Sequence, residues 1–292
     1  MDMDLGQLDA LAVAVSEGTF EAAARALNVT PSAVSQRVKA LETAVGRVLL
    51  VRSKPVRPTP SGQTLLRAAR QIRALTAEAA RELGDDGRSG PLTVPLAANA
   101  DSLATWLVPA LAAVGPSVTF DVQRTDEALT ADLLRQGTVM AAVTSSAEPV
   151  PGCTIERLGR MRYRARASPS FVARWFPDGV TGQALSTAPI VIFDRADRLQ
   201  DVYLHRRSRQ RLDPLRHYVP GSEAFVLAVR LGLGWGMVPD LQAQSRAGKE
   251  DLVELEDGRV DVSLYWQQWR LRSRSLDLVS GAVRAAAASA LV

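Results

Sequence analysis

The segment EGTFEAAARALNVTPSAVSQRVKALE, residues 17–42, constrains the fold of this chain more than any other. Apolar residues at helical spacing precede it, and Gly18 predicts the end of a first helix. A second helix is predicted from about residue 20 to 27. Thr30 then offers an N-cap hydroxyl, and Pro31 occupies the first position of a third helix. The sequence therefore predicts short helices separated by tight turns.

The third helix has two contrasting faces. Val34, Val38 and Leu41 lie at positions i, i+4 and i+7 and form an apolar stripe. The other face carries polar and basic side chains: Ser32, Ser35, Gln36 and Lys39. Such side chains can reach base edges in a major groove, although most polar helix faces are merely solvated. The helix pair predicts a helix-turn-helix with a recognition helix.

Basic residues concentrate around this helix pair. The chain of 292 residues has a net charge of only +4. Residues 22–62, however, contain one acid, Glu42, against seven bases: Arg25, Arg37, Lys39, Arg47, Arg52, Lys54 and Arg57. A local excess of this kind suits a polyanion, although it can also serve solubility. Residues 47–62 form two short extended pieces and are predicted to be a wing that touches the DNA backbone or minor groove.

Cysteine usage and the first residues indicate the compartment. Cys153 is the only cysteine, which excludes an intrachain disulfide and fits a reducing environment. The chain starts with acids where a secretory signal would carry bases, and no apolar run approaches the roughly 20 residues that cross a bilayer. These features predict a soluble cytoplasmic protein with no membrane association.

An uninterrupted helical pattern extends from Gly62 to about Leu83. Its apolar residues are spaced by three or four positions: Leu65, Ala69, Ile72, Leu75, Ala79 and Leu83. A long helix that leaves a small domain predicts a seam against a second copy of the chain, with packing on its own chain as the alternative. The composition of DDGRSG, residues 85–90, then predicts a hinge.

Strand and helix patterns alternate after the hinge, which predicts a parallel α/β sheet. The first block contains the strands LTVPLA, VTFDV and MAAVTS, and the second, from about residue 162, contains PIVIFD, HYV and WGMVPD. Helices are predicted near residues 103–114, 128–136, 199–207 and 223–231. A strand at VDVSLYW and a helix at 276–291, expected to return to the first block, complete the pattern. Two such halves would leave a cleft where strand ends gather.

The run AAARALNVTPSAVSQRVKALE, followed by the basic wing and TPSG, resembles the signature of LysR-type transcriptional regulators. The resemblance covers essentially the whole chain and implies an α/β fold with three parts. These are a winged helix-turn-helix over residues 1–60, a linker and dimerisation helix over 61–86, and a two-lobed effector domain, like a periplasmic binding protein, over 91–292. Lobe I is expected at about 91–161 and 268–292, and lobe II at about 162–267.

By position, the resemblance also implies contacts and partners. Recognition-helix contacts to double-stranded DNA fall on Pro31, Ser32, Ser35, Gln36 and Lys39, and wing contacts fall on Arg52 and Arg57. The implied partners are operator DNA, a small-molecule effector, further copies of the chain in a homodimer or tetramer, and RNA polymerase.

Four later segments, NADSLATW, SEAF, GLGWGMVP and YWQQWRLRSRSL, resemble the ArgP/LysG branch of that family. The branch implies sensing of lysine or arginine and control of an amino-acid exporter gene. Neighbouring branches share the fold with other effectors, so a different small molecule is the alternative. The basic segment RLGRMRY, residues 157–163, does not suit a cationic ligand and is predicted to point away from the cleft.

A free amino acid needs donors for its carboxylate and acceptors for its ammonium groups. Ser102 and nearby N–H groups suit the carboxylate, and Asp101 can accept an ammonium. Four or five carboxylates in one cleft would favour a ligand with two positive groups. The candidate effector residues are Asn99, Asp101, Ser102, Asp126, Glu127, Thr144, Asp194, Ser222, Glu223 and Trp235.

Several candidates have structural alternatives. Asp126, Glu127 and Glu223 can instead cap helices, Thr144 can cap the next turn, and Trp235 can belong to the core. Neighbouring residues in an extended segment face opposite ways, so only one of Asp126 and Glu127 is expected in the cleft. Of the two, Glu127 is expected to reach the distant ammonium of the ligand more easily.

Enzyme signatures are weak, and the sequence indicates no cofactor and no metal. His205 and His217 lack metal-ligand spacing, and Cys153 follows a Pro-Gly pair in a predicted loop without a nearby histidine. The full dinucleotide fingerprint and the P-loop are missing. We expect a ligand-gated DNA-binding regulator. The alternatives are an architectural DNA protein without a ligand and an enzyme that acts on an amino acid.

Overall fold

Three helices and a two-stranded ribbon form the first part of the chain. Helix α1 (Leu5–Glu17) ends at Gly18, whose φ of 73° is a left-handed conformation that suits glycine. Helices α2 (Phe20–Ala26) and α3 (Pro31–Val45) begin after Thr19 and Thr30, whose hydroxyls accept backbone N–H groups. Strands β1 (Leu50–Val51) and β2 (Arg57–Pro58) pair antiparallel. The predicted helix starts and the extended pieces of the wing are confirmed.

The structure is a computed structural model that describes residues 3–83, 92–125, 127–208, 211–243 and 252–292. For residues 81, 127, 128 and 257 it describes the backbone alone. The predicted hinge at 85–90, the candidate Asp126 and the side chain of Glu127 lie outside this description.

Helix α4 (Pro60–Glu82) packs differently along its length. Leu66 and Ala69 are buried in the N-terminal core, and Leu65 and Ile72 pack at its edge. Leu75 and Leu83 are exposed, at 40% and 88%. Ala69 is buried in its own chain and is not available to the predicted partner seam, whereas Leu65 and Ile72 are only partly buried and stay predicted seam residues.

The described residues after α4 contain eight strands. They are β3 (Leu92–Ala98), β4 (Val118–Arg124), β5 (Ala141–Thr144), β6 (Cys153–Ala167), β7 (Ile190–Ile192), β8 (Arg216–Tyr218), β9 (Gly236–Pro239) and β10 (Val253–Trp269). One sheet has the order β4-β3-β5-β10-β6-β9, and β7 pairs with β8 in a second sheet. Within the first sheet only the β3–β4 and β3–β5 pairs are parallel. The prediction of a parallel sheet is corrected to a mixed one, because β6 and β10 pair antiparallel along most of their length.

The helices of this part are α5 (Ala100–Ser102), α6 (Val108–Ala112), α7 (Glu127–Gln136), α8 (Pro169–Trp175), α9 (Gly182–Thr187), α10 (Leu199–Arg207), α11 (Ser222–Arg230), α12 (Asp240–Ala243) and α13 (Arg274–Ala290). A π-helical turn, Leu103–Leu107, joins α5 to α6. Helix α13 packs on α6, β3 and β6, which confirms its predicted return to the first half. Within the described ranges, no helix is both long and apolar enough to cross a membrane.

Two lobes share the long strands. We call the elements β3–β5, α5–α7 and α13 lobe I, and the elements β7–β9 and α8–α12 lobe II. The C-terminal half of β10 pairs with β5 in lobe I, and the C-terminal half of β6 pairs with β9 in lobe II. Both long strands therefore run from one lobe into the other.

The basic segment of residues 157–163 forms part of β6, which the sequence analysis did not predict as a strand. Met161 and Tyr163 are buried on one face, and Arg162 lies on the other. The Arg162 guanidinium donates two hydrogen bonds to the Asp261 carboxylate on β10, at 2.8 and 2.9 Å. The arginines therefore point away from the cleft as expected, whereas Tyr163 points into it.

Candidate functional site

The third helix presents its predicted recognition face to solvent. Pro31, Ser32, Gln36 and Lys39 are exposed, and Ser35 is half-buried. The opposite stripe of Val34, Val38 and Leu41 is buried in the N-terminal core, at 1% exposure or less. Burial of this apolar stripe therefore orients the polar face of α3 towards solvent.

The wing stands beside this helix with its bases exposed. The Arg52 guanidinium lies 6.0 Å from the centroid of the Phe20 ring, and Arg57 is also exposed. Glu42, the one acid of residues 22–62, accepts hydrogen bonds from the backbone N–H groups of Leu49 and Leu50, at 2.8 and 3.3 Å. The Glu42 carboxylate is therefore engaged between α3 and the start of the wing. The exposed charges of the wing are those of its basic residues.

A cleft of about 660 Å³ opens between the lobes. Several of its residues directly follow β3, β5 and β7, where parallel α/β folds gather their binding groups. The long strands β6 and β10 cross its base. The lining residues are Asn99, Ala100, Asp101, Ser145, Tyr163, Phe193, Asp194, Ala196, Asp197, Leu199, Phe225, Met237, Pro239 and Val262.

Asp101 connects the two lobes across the cleft. One of its carboxylate oxygens accepts a hydrogen bond from the Ser222 hydroxyl at 2.5 Å, and the other accepts one from the Tyr163 hydroxyl at 2.8 Å. Burial, followed by the charge of Asp101, raises the pKa of Tyr163 well above its usual value. Tyr163 therefore stays protonated and acts as a donor.

Two more carboxylates face the cleft from the turn after β7. Asp194 accepts the backbone N–H groups of Ala196 and Asp197, at 2.7 and 3.0 Å. Asp197 in turn accepts those of Leu199 and Phe193, at 2.9 and 3.2 Å. Burial raises the pKa of Asp197. Because an ionised carboxylate offers about four acceptor positions, both groups retain capacity for a ligand.

The cleft is acidic on balance. Asp101, Asp194 and Asp197 line it, and none of its described lining residues is lysine, arginine or histidine. A neutral or anionic ligand would leave these charges uncompensated, which is costly in a partly buried site. The arrangement therefore suits a ligand with more than one positive group.

The structure brings together four of the predicted effector residues. Asn99, Asp101 and Asp194 line the cleft, and Ser222 contacts Asp101. Ser102 is fully buried next to Asp101, and its hydroxyl has no hydrogen-bond partner within the described part of the chain.

Three other candidates are corrected. Trp235 is fully buried and packs edge-on against Tyr203, with ring centroids 5.2 Å apart, so it belongs to the core. Glu223 is exposed in the first turn of α11, where an acid favours the helix start. The hydroxyl of Thr144 accepts the N–H of Ser146 at 3.1 Å and caps a turn.

Sequence reasoning missed Tyr163 and Asp197, and it misplaced Cys153. The alternation of basic and apolar residues in β6 could have placed Tyr163 inward, and the spacing of Asp194 and Asp197 could have indicated a carboxylate-lined turn. Cys153 is the buried first residue of β6 and not a loop residue. Burial raises the pKa of its thiol, which disfavours the reactive thiolate.

No group of three or more metal-ligating side chains occurs among the residues that the structure describes. His205 lies on α10 and His217 on β8.

Comparison with known protein families gives two matches that together cover most of the chain. Residues 5–63 match the bacterial regulatory helix-turn-helix protein family, lysR family. Residues 85–288 match the LysR substrate binding domain.

Relatives match over nearly the whole length. The chain is 45% identical over 285 residues to the HTH-type transcriptional regulator LysG of Mycobacterium tuberculosis, covering 98% of this chain and 94% of the relative. It is 42% identical over 292 residues to the lysine export transcriptional regulatory protein LysG of Corynebacterium glutamicum, covering 98% of each.

Solved structures agree with these relatives. A crystal structure of ArgP from Mycobacterium tuberculosis superposes with a TM-score of 0.91 at 44% identity, covering 99% of each chain. Full-length LysG from Corynebacterium glutamicum with bound effector Arg superposes with a TM-score of 0.82 at 40% identity, again covering 99% of each. The chain belongs to the LysR family of bacterial transcriptional regulators, in the branch that contains LysG and ArgP.

Proposed function

We propose that a basic amino acid, lysine or arginine, gates DNA binding by this regulator, and that the regulated gene encodes an amino-acid exporter. The observation that carries the proposal is the interlobe cleft with three aspartates and no cationic group among its described lining residues. Two findings on LysG of Corynebacterium glutamicum support the same ligand class. Its structure contains bound effector Arg, and it is named a lysine export transcriptional regulatory protein.

The two ends of such a ligand need different partners. Asp194 and Asp197 suit the side-chain ammonium or guanidinium, and Asp101 suits the α-ammonium. Ser102 is proposed to donate to the α-carboxylate. A buried hydroxyl without a partner costs about 1–3 kcal/mol, which a ligand oxygen would recover. One of Asp126 and Glu127, which follow β4 in the sequence, remains a proposed ligand contact, and Glu127 is the preferred one.

Titration calorimetry with the twenty amino acids tests the gate. We expect heat from lysine or arginine and none from alanine or glutamate. A ligand-independent architectural DNA protein would give no heat with any of them, and an enzyme would consume the amino acid that it binds. Heat from a different ligand class would retain the family and refute the basic effector.

A recognition-face substitution separates base readout from phosphate contact. Gln36→Ala is expected to weaken operator binding by about 1–3 kcal/mol and to leave random DNA almost unaffected, because this exposed amide can reach base edges. Arg52→Ala is expected to weaken all DNA and to reduce the salt dependence. Fluorescence anisotropy with both DNAs measures this. Equal losses on both DNAs for Gln36→Ala would refute base readout.

We further propose that the exposed half of the α4 stripe meets a second copy of the chain. Leu75→Asp is expected to yield monomers, because it places a charge in an apolar interface. Ala77→Asp, an exposed position on a different face of α4, is the matched control. Light scattering that shows the parental mass for Leu75→Asp would exclude this seam.

The remaining parts of the proposal follow from the family. The three parts of the chain are proposed to function as a DNA-binding domain (1–60), a dimerisation linker (61–86) and an effector domain (91–292), in a homodimer or tetramer. A role as a regulator, without enzymatic activity, agrees with the transcriptional regulators that it resembles. Its place would be the cytoplasm, where bacterial DNA and RNA polymerase are found.

A further inference from the structure

A groove of about 790 Å³ lies on the outer side of lobe II, between helix α10 and strand β8. It is separate from the interlobe cleft, because no described residue lines both. Helix α10 divides the two sites: Leu199 lines the cleft, whereas Val202 lines the groove. His205, Arg206 and Arg211, from the basic run HRRSRQR, also line the groove. Binding of an effector in the cleft gives this basic run no role.

One wall of the groove is a single face of α10. The residues of this face follow helical spacing and are all exposed: Arg198, Val202, His205 and Arg206. The dipole of α10 favours His205 and Arg206, which lie in its last turn. It disfavours a cation at the other end of the helix, where Arg198 lies. The helix dipole therefore does not account for Arg198.

The other wall is the open edge of β8. Among the described strands, β8 pairs only with β7. The Leu215 carbonyl accepts the N–H of Ile190 at 2.8 Å, so the backbone of Leu215 faces β7. Because backbone groups alternate sides along a strand, those of Arg216 and Tyr218 face away from β7. Their N–H and C=O groups are a template for a further strand.

The charges that line the groove do not balance. Four arginines line it against two aspartates. Both aspartates lie beside Arg216, with Asp201 at 2.9 Å and Asp213 at 3.5 Å. Arg206 and Arg211 have no carboxylate partner within the part of the chain that the structure describes. The groove therefore suits a negatively charged occupant.

The apolar part of the groove favours a peptide over a small anion. Val202 and Tyr218 are 37% and 43% exposed, and Leu212 adds a partly buried apolar side chain. The Arg195 guanidinium lies 4.9 Å from the centroid of the Tyr218 ring. A phosphate ion would leave this apolar surface and the β8 edge uncovered. An extended peptide covers both, with its side-chain stems and its main chain.

We propose that this groove, which we call the β8 groove, binds an extended acidic segment of a partner protein as an added strand on β8. Alternate side chains of such a strand face α10, so carboxylates at every second position meet Arg198, Arg206 and Arg211. Arginines beside an open edge repel the same edge of a second copy but attract an acidic strand. Since only Arg216 and Tyr218 face outward, the main chains share at most about four hydrogen bonds, and the contact depends strongly on charge.

Fluorescence anisotropy tests the β8 groove with a labelled peptide of about eight residues in which glutamate and valine alternate. The parent is expected to bind this peptide, and Arg211→Glu to bind it about tenfold or more weakly, because like charges then face each other. Arg174→Glu, at an exposed position on α8 of the same lobe, is the matched control and should bind like the parent. Arg52→Glu, in the basic wing, should also bind like the parent.

The result that would overturn the proposal is parental affinity in Arg211→Glu, or an equal loss in either control. Thermal unfolding shows whether Arg211→Glu folds. If it does not, Arg211→Ala is measured in the same way, and parental affinity there overturns the proposal equally. These measurements need no amino-acid effector, so they stand or fall independently of the proposed function.

Methylation of the peptide backbone separates strand addition from charge attraction. One peptide carries N-methyl groups on its glutamates and the other on its valines, so the net charge of the two is the same. Only one of these sets of N–H groups can face β8. We expect one methylated peptide to bind like the unmethylated one and the other to lose most of its affinity. Equal affinities of the two would refute strand addition.

Competition and mass measurements identify other occupants of the β8 groove. Pyrophosphate and duplex DNA, at matched ionic strength, are expected to leave the peptide bound. Displacement by either would make the groove a phosphate site and overturn the proposal. Light scattering is expected to show the same mass for Arg211→Glu and the parent. A lower mass for Arg211→Glu would instead assign the groove to a contact between copies of this chain.

Discussion

Asp194→Asn is expected to weaken lysine binding by about 2–5 kcal/mol, because the side-chain ammonium would lose the charged partner proposed for it. The substitution is nearly isosteric. One amide oxygen can still accept the N–H groups of Ala196 and Asp197, so the turn after β7 should persist. The loss therefore reports the charge and not the fold.

Calorimetry on Asp194→Asn measures this loss, with Asp132→Asn as the control because Asp132 pairs with Arg135 on an exposed helix surface. DNA binding without ligand should survive both changes. Ser102→Ala is expected to weaken every amino-acid ligand alike, since its hydroxyl is proposed to donate to the α-carboxylate that these ligands share. Unchanged lysine affinity in Asp194→Asn would assign Asp194 to the turn alone and make Glu127→Gln the next variant to measure.

Trp235→Ala is expected to lower the free energy of unfolding by about 3–5 kcal/mol, because it empties a large volume in the core of lobe II. The indole is fully buried and packs on Tyr203. Denaturant unfolding measures the change. Trp175→Ala, at a partly exposed position, should cost less.

Lysine binding by Trp235→Ala shows whether Trp235 is a core residue or covers the cleft. Below its unfolding temperature, Trp235→Ala is expected to bind lysine about as well as the parent. If Trp235→Ala unfolds like the parent but loses lysine affinity, Trp235 is a ligand-binding residue and not a core residue.

Local signals in the sequence predicted the DNA-binding part well. The start of α3 depends on Thr30 and Pro31 alone, and its buried stripe depends on spacing within one helix. The direction of the α4 stripe could not be predicted in this way. Leu65 and Ile72 have the same spacing whether they meet their own chain or a partner, and in the structure both pack only partly on their own chain.

The cleft was harder to predict because its residues meet through long-range pairing. Tyr163 reaches Asp101 only because β6 pairs with β10 in a register that places Tyr163 opposite Val260. Asp197 enters the cleft through the turn that Asp194 closes, which is a local signal but not a periodic one. Asn99, Asp101 and Asp194 were predicted because they follow or lie close to strands that the sequence marked clearly.

Footprinting on the DNA upstream of the protein's own gene, with and without lysine or arginine, tests the central claim most directly. We predict a protected region whose extent or cleavage pattern changes with the basic amino acids and not with alanine or glutamate. An identical footprint under all these conditions, at ligand concentrations that saturate the cleft by calorimetry, would contradict a ligand-gated regulator.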